Sequence, residues 1–356
     1  MSQYAQFSKT SPELAAVIAR LPPSPLLGDI QTVRNVAEAM FRGPQAQDAL
    51  KRILPPDSTY TVHDHKVPVD GGEILVRGVI PTFTEGEDGT FPLLVWYHPG
   101  GFALGDIDQS DAILRALSVN QRISTLNVEY RLSPENPFPA GHDDCYHALK
   151  WAAENASLLN ASLGKGFVVA GQSSGGNLAG SVALRAAEDP FFEGRKLTGQ
   201  CLQIPSVVHP SAWPEKYRAE LLSFEQNKDA PILGTDAMLQ FLEWLGAPAD
   251  HPHFSILLHS AHAKAPPAYI QVAGFDPLRD EGILYAKVLE EAGVKVQCDV
   301  YAGLPHGGHQ IFPTLDVSRK FQADFVSHLP WLFKGGKVVT EDSDNVLKTL
   351  QCIDTI

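Results

Sequence analysis

Phe167-Val168-Val169-Ala170-Gly171-Gln172-Ser173-Ser174-Gly175-Gly176-Asn177-Leu178-Ala179 is the stretch on which the reading of this chain turns. Its apolar opening, with two β-branched residues, reads as a short buried strand; Gly-x-Ser-x-Gly follows, and residues 176–188 then read as a helix. A strand that turns at once into a helix crowds its side chains against backbone. Gly171 and Gly175 remove the Cβ atoms that would collide, while Ser173 is held in a strained conformation with its hydroxyl above a helix N-terminus. Taken alone, the motif is also what a Gly/Ser-rich turn without chemistry would look like, so its neighbours decide.

Outward from this stretch, apolar runs at 93–97, 123–128, 200–204, 268–273 and 294–301 alternate with helical patterns at 108–118, 141–154, 280–292 and 316–333. Runs with no polar alternation suit strands covered on both faces, and their alternation with helices predicts an α/β fold, an open, mostly parallel sheet with helices on both sides. Ahead of it, two β-rich runs at 59–69 and 73–80 flank Asp70-Gly71-Gly72 and read as a hairpin. Helical stretches at 12–21 and 29–41 open the chain. Residues 205–264 break the rhythm: they are rich in Pro, His and aromatics, carry an amphipathic helix at 235–246, and read as a lid or binding surface. The chain thus divides into an N-terminal helical segment (1–58), a core in two parts (59–204 and 265–335), an insertion (205–264) and a tail (336–356).

A second motif lies at Tyr97-His98-Pro99-Gly100-Gly101-Phe102, directly after the apolar run 93–97. Adjacent glycines let bare N–H groups approach a developing oxyanion, and the N–H groups of Gly100, Gly101 and Ser174 form the candidate hole. A simple β-turn at Pro99-Gly100 is the plainer alternative.

Together these residues resemble the hormone-sensitive-lipase-like group of α/β-hydrolases, which includes many carboxylesterases. That group carries His-Gly-Gly-Gly-Phe where this chain has His98 to Phe102, and Gly-Asp-Ser-Ala-Gly-Gly-Asn where it has Gly171 to Asn177. The similarity extends to Tyr130-Arg131-Leu132-Ser133-Pro134-Glu135-Asn136-Pro137-Phe138-Pro139-Ala140 and covers residues 92–333. The resemblance implies an α/β-hydrolase fold with an eight-stranded, mostly parallel sheet and a helical cap built from the N-terminal helices and the insertion. It puts the nucleophile at Ser173, the acid at Asp276 and the base at His306, with His98, Gly171, Gly175, Tyr130 and Glu135 in support. It calls for no cofactor.

The residues give this assignment a reading of their own. The order Ser, Asp, His is the one this fold requires. Asp276 follows the run 269–273 and precedes a helix, where its carboxylate can accept from an imidazole; His306 sits in a loop bracketed by Gly303 and Gly307. Asp280 is the rival acid, read as an N-terminal helix cap, and His309 is the rival base. Three positions depart from the group's pattern. Pro99 lacks an N–H but precedes the two donor glycines, Ser174 supplies only its backbone N–H, and Gln172 makes the surroundings of Ser173 less negative.

Phe102, Trp213 and Phe241 are the candidates for a substrate pocket, with Trp244 beside them; packing is the plainer reading of Phe241 and Trp244, which stand at helical spacing. Glu135 and Asp143 are read as braces for loops beneath the site. His251, His253, His259 and His262 have ligand-like spacings, but no nearby Cys or Glu completes a set, so no metal is expected.

Composition bounds the partners. Hydrophobic residues make up 44% and charged residues 19% of 356, a balance that folds rather than stays disordered. The formal net charge of −13 would repel nucleic acid and anionic membrane surfaces. Four scattered cysteines (Cys145, Cys201, Cys298, Cys352) suit free thiols in a reducing compartment. No secretion signal and no run long enough to span a bilayer is read, so a cytoplasmic protein is expected, in which the sequons at Asn155 and Asn160 are chance. The expected activity is a serine carboxylesterase acting on a small-molecule ester. The alternatives are an acyltransferase or lactone-forming enzyme of a biosynthetic pathway and, from another class, a ligand receptor on the same scaffold. A homodimer is compatible with the resemblance, although no long apolar edge can be named.

Overall fold

Strands without a polar face need cover on both sides, and the chain supplies it. In the computed structural model, which describes residues 3–21 and 25–337, eight strands form one sheet: β1 (Tyr60–Val69), β2 (Gly72–Pro81), β3 (Leu93–Tyr97), β4 (Ser124–Glu129), β5 (Phe167–Gln172), β6 (Gly199–Gln203), β7 (Ala268–Phe275) and β8 (Val296–Pro305). Their order is β1-β2-β4-β3-β5-β6-β7-β8. The hairpin β1–β2 and the pair β2–β4 are antiparallel, and every other neighbouring pair is parallel. The hairpin turns on Asp70-Gly71, with Val69 opposite Gly72 and Gly71 at φ +83°.

Successive strand residues point to opposite faces, so one strand feeds two cores. Leu94, Trp96, Val168 and Ala170 pack with Leu114 and Leu117 of α4 (Asp111–Gln121) and Phe325, Leu329 and Leu332 of α11 (Asp316–Phe333). Leu93, Val95, Val169, Leu202 and Ile270 face the other way, onto Ala148 and Leu149 of α5 (Ala140–Glu154), Val182 and Ala183 of α6 (Ser174–Glu188) and Leu284 and Leu289 of α9 (Arg279–Glu291). Each such large apolar side chain contributes roughly 1.5–3 kcal/mol on burial.

The strand order reverses between β3 and β5, which lie side by side although β4 separates them in sequence. Open α/β sheets bind ligands in the crevice beyond the carboxyl ends of such strands. The loop after β3 and the turn after β5 both open there.

Residues of three segments line the crevice at this edge. Near the N-terminus come α1 (Pro12–Ile18), α2 (Ile30–Arg42) and α3 (Pro44–Ile53); between β6 and β7 come α7 (Ser223–Gln226) and α8 (Thr235–Leu245); between β8 and α11 comes the short α10 (Gly308–Ile311). Helix α3 departs from the sequence expectation, which ended at residue 41. Gly43 breaks α2, and Pro44 at the first helical position starts a new helix at once. Strand β8 runs to Pro305, farther than its apolar run, because its last residues pair with β7 across a register shift at Ala273/Phe275. Among the described residues no helix is long and apolar enough to cross a membrane, and Cys145, Cys201 and Cys298 are free thiols. Cys352 and the tail beyond 337 lie outside the described residues.

Candidate active site

The turn after β5 is steric necessity made visible. Ser173 has φ +57° and ψ −118°, sparsely populated for a residue with a side chain, and its N–H is anchored to Gln203 O on β6 at 2.8 Å. A Cβ on Gly171 would stand 2.2 Å from Gly175 O, and one on Gly175 only 2.0 Å from Tyr97 O and 2.8 Å from His98 O. The glycines therefore let the start of α6 press against the loop that leaves β3. Two backbones that contribute to one site meet here.

Ser173 Oγ lies 2.7 Å from His306 Nε2, and His306 Nδ1 lies 2.6 Å from Asp276 Oδ2. His306 follows β8, and Gly307 behind it takes a left-handed φ of +69° that turns the chain into α10. Asp276 is 1% exposed; its second oxygen accepts the N–H of Leu278 at 2.9 Å, which fixes the carboxylate before α9 begins. Asn227 of the insertion donates to Asp276 O. With the imidazole N–H toward Asp276, Nε2 is free to accept the serine hydroxyl's proton.

The two rivals are used otherwise. Asp280 does not cap its own helix, a correction to the sequence expectation: its carboxylate accepts from Arg279 Nε at 2.8 Å and from the N–H groups of Leu222 and Ser223 at 2.9 and 2.7 Å, tying α9 to the insertion. His309 is buried with its ring stacked on Phe321, centroids 4.0 Å apart. Its Nε2 donates to Gln172 Oε1 at 3.2 Å, and Gln172 Nε2 donates to Gln310 Oε1 at 3.0 Å. Burial pulls the His309 pKa down to about 3, so the ring is neutral. Gln172, where a carboxylate was the pattern, thus links the Ser173 turn to α10.

Beyond β3, Gly100, Gly101 and Phe102 have φ of +139°, +59° and +65°. Among the described residues, neither Gly100 N–H nor Gly101 N–H is engaged by backbone or side chain, and Ser174 opens α6, where N–H groups have no acceptor within the helix. Gly100 could not carry a Cβ, which would meet Leu104 O at 2.1 Å. Burial lowers the His98 pKa to about 4; the neutral ring donates from Nδ1 to Pro99 O at 2.9 Å and stacks on Tyr130, whose hydroxyl donates to His98 O at 2.8 Å. Glu135 lies farther out and pairs with Arg34 of α2 at 2.7 Å. Asp143 pairs with Arg185, joining α5 to α6.

Ser173, His306, Gly100, Gly101 and Ser174 open into a cavity of about 270 Å³. Its wall is mainly apolar: Leu26, Ala37 and Phe41 from the N-terminal segment, and Ile232, Leu233, Met238, Phe241 and Leu242 from the insertion. Phe102 and Phe241 line it. Trp213 does not, a second correction: its ring packs edge-on against Phe224 at 5.4 Å. Trp244 packs against Phe241. The insertion histidines serve turns, with His251 Nδ1 and His259 Nδ1 accepting the N–H groups of His253 and Ala261, and His262 Nε2 donating to Ile256 O. Among the described residues, no three His, Cys, Asp or Glu side chains gather as metal ligands. Asn177, whose role sequence reading left blank, donates to Ser206 O and Phe254 O and so moors the insertion to α6.

Comparison with known proteins adds to this geometry. A family model described as alpha/beta hydrolase fold matches residues 94–310. The chain is 31% identical over 308 residues to versiconal hemiacetal acetate esterase of Dothistroma septosporum, covering 86% of this chain and 90% of that protein. It is 37% identical over 220 residues to esterase LipI of Mycobacterium tuberculosis, covering 61% and 65%. Among solved structures, vibralactone cyclase superposes with a TM-score of 0.89 at 38% identity, covering 94% of this chain and 97% of that one.

Proposed function

Since this chain belongs to the hormone-sensitive-lipase-like alpha/beta hydrolases and is a carboxylic ester hydrolase, we propose that Ser173 is its nucleophile, His306 its general base and Asp276 the residue that orients His306. The observation that carries this reading is the unbroken hydrogen-bond line from Ser173 Oγ through His306 to Asp276, at 2.7 and 2.6 Å. Nε2 takes the hydroxyl proton as Oγ attacks the ester carbonyl, and the carbonyl π pair moves onto oxygen. The N–H groups of Gly100, Gly101 and Ser174 receive that oxyanion, each donor stabilising the transition state by about 3 kcal/mol. The imidazolium then returns its proton to the leaving alcohol. Water, activated by the same His306, attacks the acyl-serine and releases the acid.

The apolar wall favours esters whose acyl or alcohol part is a small to medium hydrocarbon or aryl group. In this reading the N-terminal helices and the insertion form a cap that excludes bulk water and selects the substrate. A fluorophosphonate probe tests the assignment. Labelling of the wild-type protein and hydrolysis of a short p-nitrophenyl ester should both vanish in Ser173→Ala; a labelled, active variant would remove Ser173 from the reaction.

One observation favours a second reading, in which the acyl-serine passes its acyl group to an alcohol or closes a lactone: the 38% identity to vibralactone cyclase along nearly the whole chain. Supplying an acyl donor with candidate alcohols in water and analysing the products separates the two: free acid dominates for a hydrolase, the new ester or the lactone for the alternative.

A further inference from the structure

We infer that Arg34, on the cap helix α2, is a positioning residue for the oxyanion hole, so that docking of the cap and competence of the hole are one event. This rests on the serine-esterase reading above and extends it to a residue outside the catalytic loops.

Three successive left-handed residues, Gly100, Gly101 and Phe102, hold the donor amides in place. Phe102 has no steric licence for φ +65°, so the loop persists only where its surroundings over-determine it. The carbonyls that follow the donors do that work. Gly100 O accepts from Ala103 N and Leu104 N at 3.1 and 2.9 Å, and Phe102 O accepts from Ser133 N and Ser133 Oγ at 2.9 and 3.1 Å. Ala103 O accepts from Arg34 Nε at 3.1 Å. The first two carbonyls are satisfied from within the catalytic body, whereas Ala103 O is held from the cap.

The same guanidinium also reaches the second support. Arg34 Nη2 donates to Ser133 O at 3.3 Å, and both terminal nitrogens bind the Glu135 carboxylate at 2.7 Å each. One side chain therefore stitches the oxyanion loop, the Ser133 loop that braces it, and Glu135 into a single unit. A planar fork does this in a way a lysine ammonium cannot. The Arg34–Glu135 pair is strong enough to hold the Glu135 carboxyl down to about 2, chiefly through its hydrogen bond to Arg34. Arg42, two turns on, pairs with Asp106 at the far end of the same loop, so α2 holds the loop at two points.

Because Arg34 also lines the cavity, the test must separate support of the hole from contact with substrate. We would compare wild type, Arg34→Lys and Arg34→Met on p-nitrophenyl acetate, whose small acyl group uses little of the wall, and measure two inhibitors. A trifluoromethyl ketone adds Ser173 Oγ to its carbonyl carbon, sends the hydroxyl proton to His306 and places an oxyanion in the hole; the matching trifluoromethyl carbinol fills the same space and forms none. Arg34→Met is expected to lower kcat about tenfold and ketone affinity by the same factor, with KM and carbinol affinity nearly unchanged. Arg34→Lys should fall between, and it carries the test if the methionine variant does not fold. A wild-type kcat and ketone affinity in a folded variant, or a loss confined to KM and the carbinol, would overturn the inference. A wild-type protein that neither hydrolyses the ester nor reacts with the ketone would instead defeat the esterase mechanism itself.

Discussion

Asp276, directly after β7, and Asp280, in the first turn of α9, have carboxylates that serve different parts of the molecule: Asp276 holds His306, whereas Asp280 holds Arg279 and the amides of Leu222 and Ser223. Sequence proximity therefore hides a division between chemistry and architecture. Asp276→Asn should lower kcat roughly 10⁴-fold, because an amide favours the wrong imidazole tautomer, while the melting temperature stays near wild type. Asp280→Asn should do the reverse. It removes the negative charge that accepts from the fully buried Arg279 at 2.8 Å, a loss of roughly 3–5 kcal/mol of stability with a smaller effect on turnover. Steady-state kinetics and thermal melts on both variants check this; a greater kinetic loss in Asp280→Asn would mean the acid is misassigned.

The glycine turn makes a sharper claim about folding. Gly175→Ala would drive a methyl group to 2.0 Å from Tyr97 O, a backbone atom of a central strand that cannot move aside. The expected result is insoluble or unfolded protein. Gly72→Ala, where a Cβ meets nothing within 4 Å, should express and hydrolyse esters like wild type. Soluble yield and circular dichroism distinguish them, and a well-folded Gly175→Ala protein would contradict the packing described for the turn.

The meeting of Ser173, Asp276 and His306 was legible because each follows a strand, and parallel strands deliver their carboxyl ends to one edge. The parallel sheet was legible for a related reason: continuous apolar runs admit few other environments. What the sequence concealed lies in pairings between distant segments. Nothing local to Asp280 announces Leu222 and Ser223, so a helix-start aspartate reads as a cap. Trp213 and Phe241 have similar chemistry, and only the path of the insertion decides which one faces the cavity. Buried glutamines on the inner strands were equally opaque: Gln203 donates to Gln271 Oε1, and Gln271 donates to Tyr301 Oη and Phe321 O, a ladder that satisfies polar groups inside the sheet.

Phe241 limits the room in the cavity beside Gly101. Its ring would lie 2.6 Å from a Cβ on Gly101, so it stands directly against that glycine, and it lines the cavity. Phe241→Ala should raise kcat/KM for bulky esters relative to acetate roughly tenfold, the range expected when a few methylene volumes are freed, at a stability loss of about 3 kcal/mol. Trp213→Ala, off the wall, should leave that ratio unchanged. Relative kcat/KM over esters of graded bulk decides; an altered ratio in the Trp213 variant with none in the Phe241 variant would reverse the assignment of the wall.

Glu281 supplies a pH test of the scaffold. Its side chain is buried, with Oε2 accepting the N–H groups of Val207 and Val208 at 2.9 and 3.3 Å. Burial outweighs those amides and pushes its pKa up to about 8, from an ordinary value of 4.5. Between these two values the folded protein holds a proton that the unfolded chain has released, so stability falls as pH rises through that window. A single such group contributes at most about 1.4 kcal/mol per pH unit. Its stabilising proton is fully present below 4.5 and lost above about 8. Glu281→Gln keeps an acceptor for both amides and cannot ionise. The melting temperature of the variant minus that of wild type should therefore climb steadily in the variant's favour from pH 5 to about 8 and level off above it. Parallel melting curves across that range would show that Glu281 does not carry the buried proton.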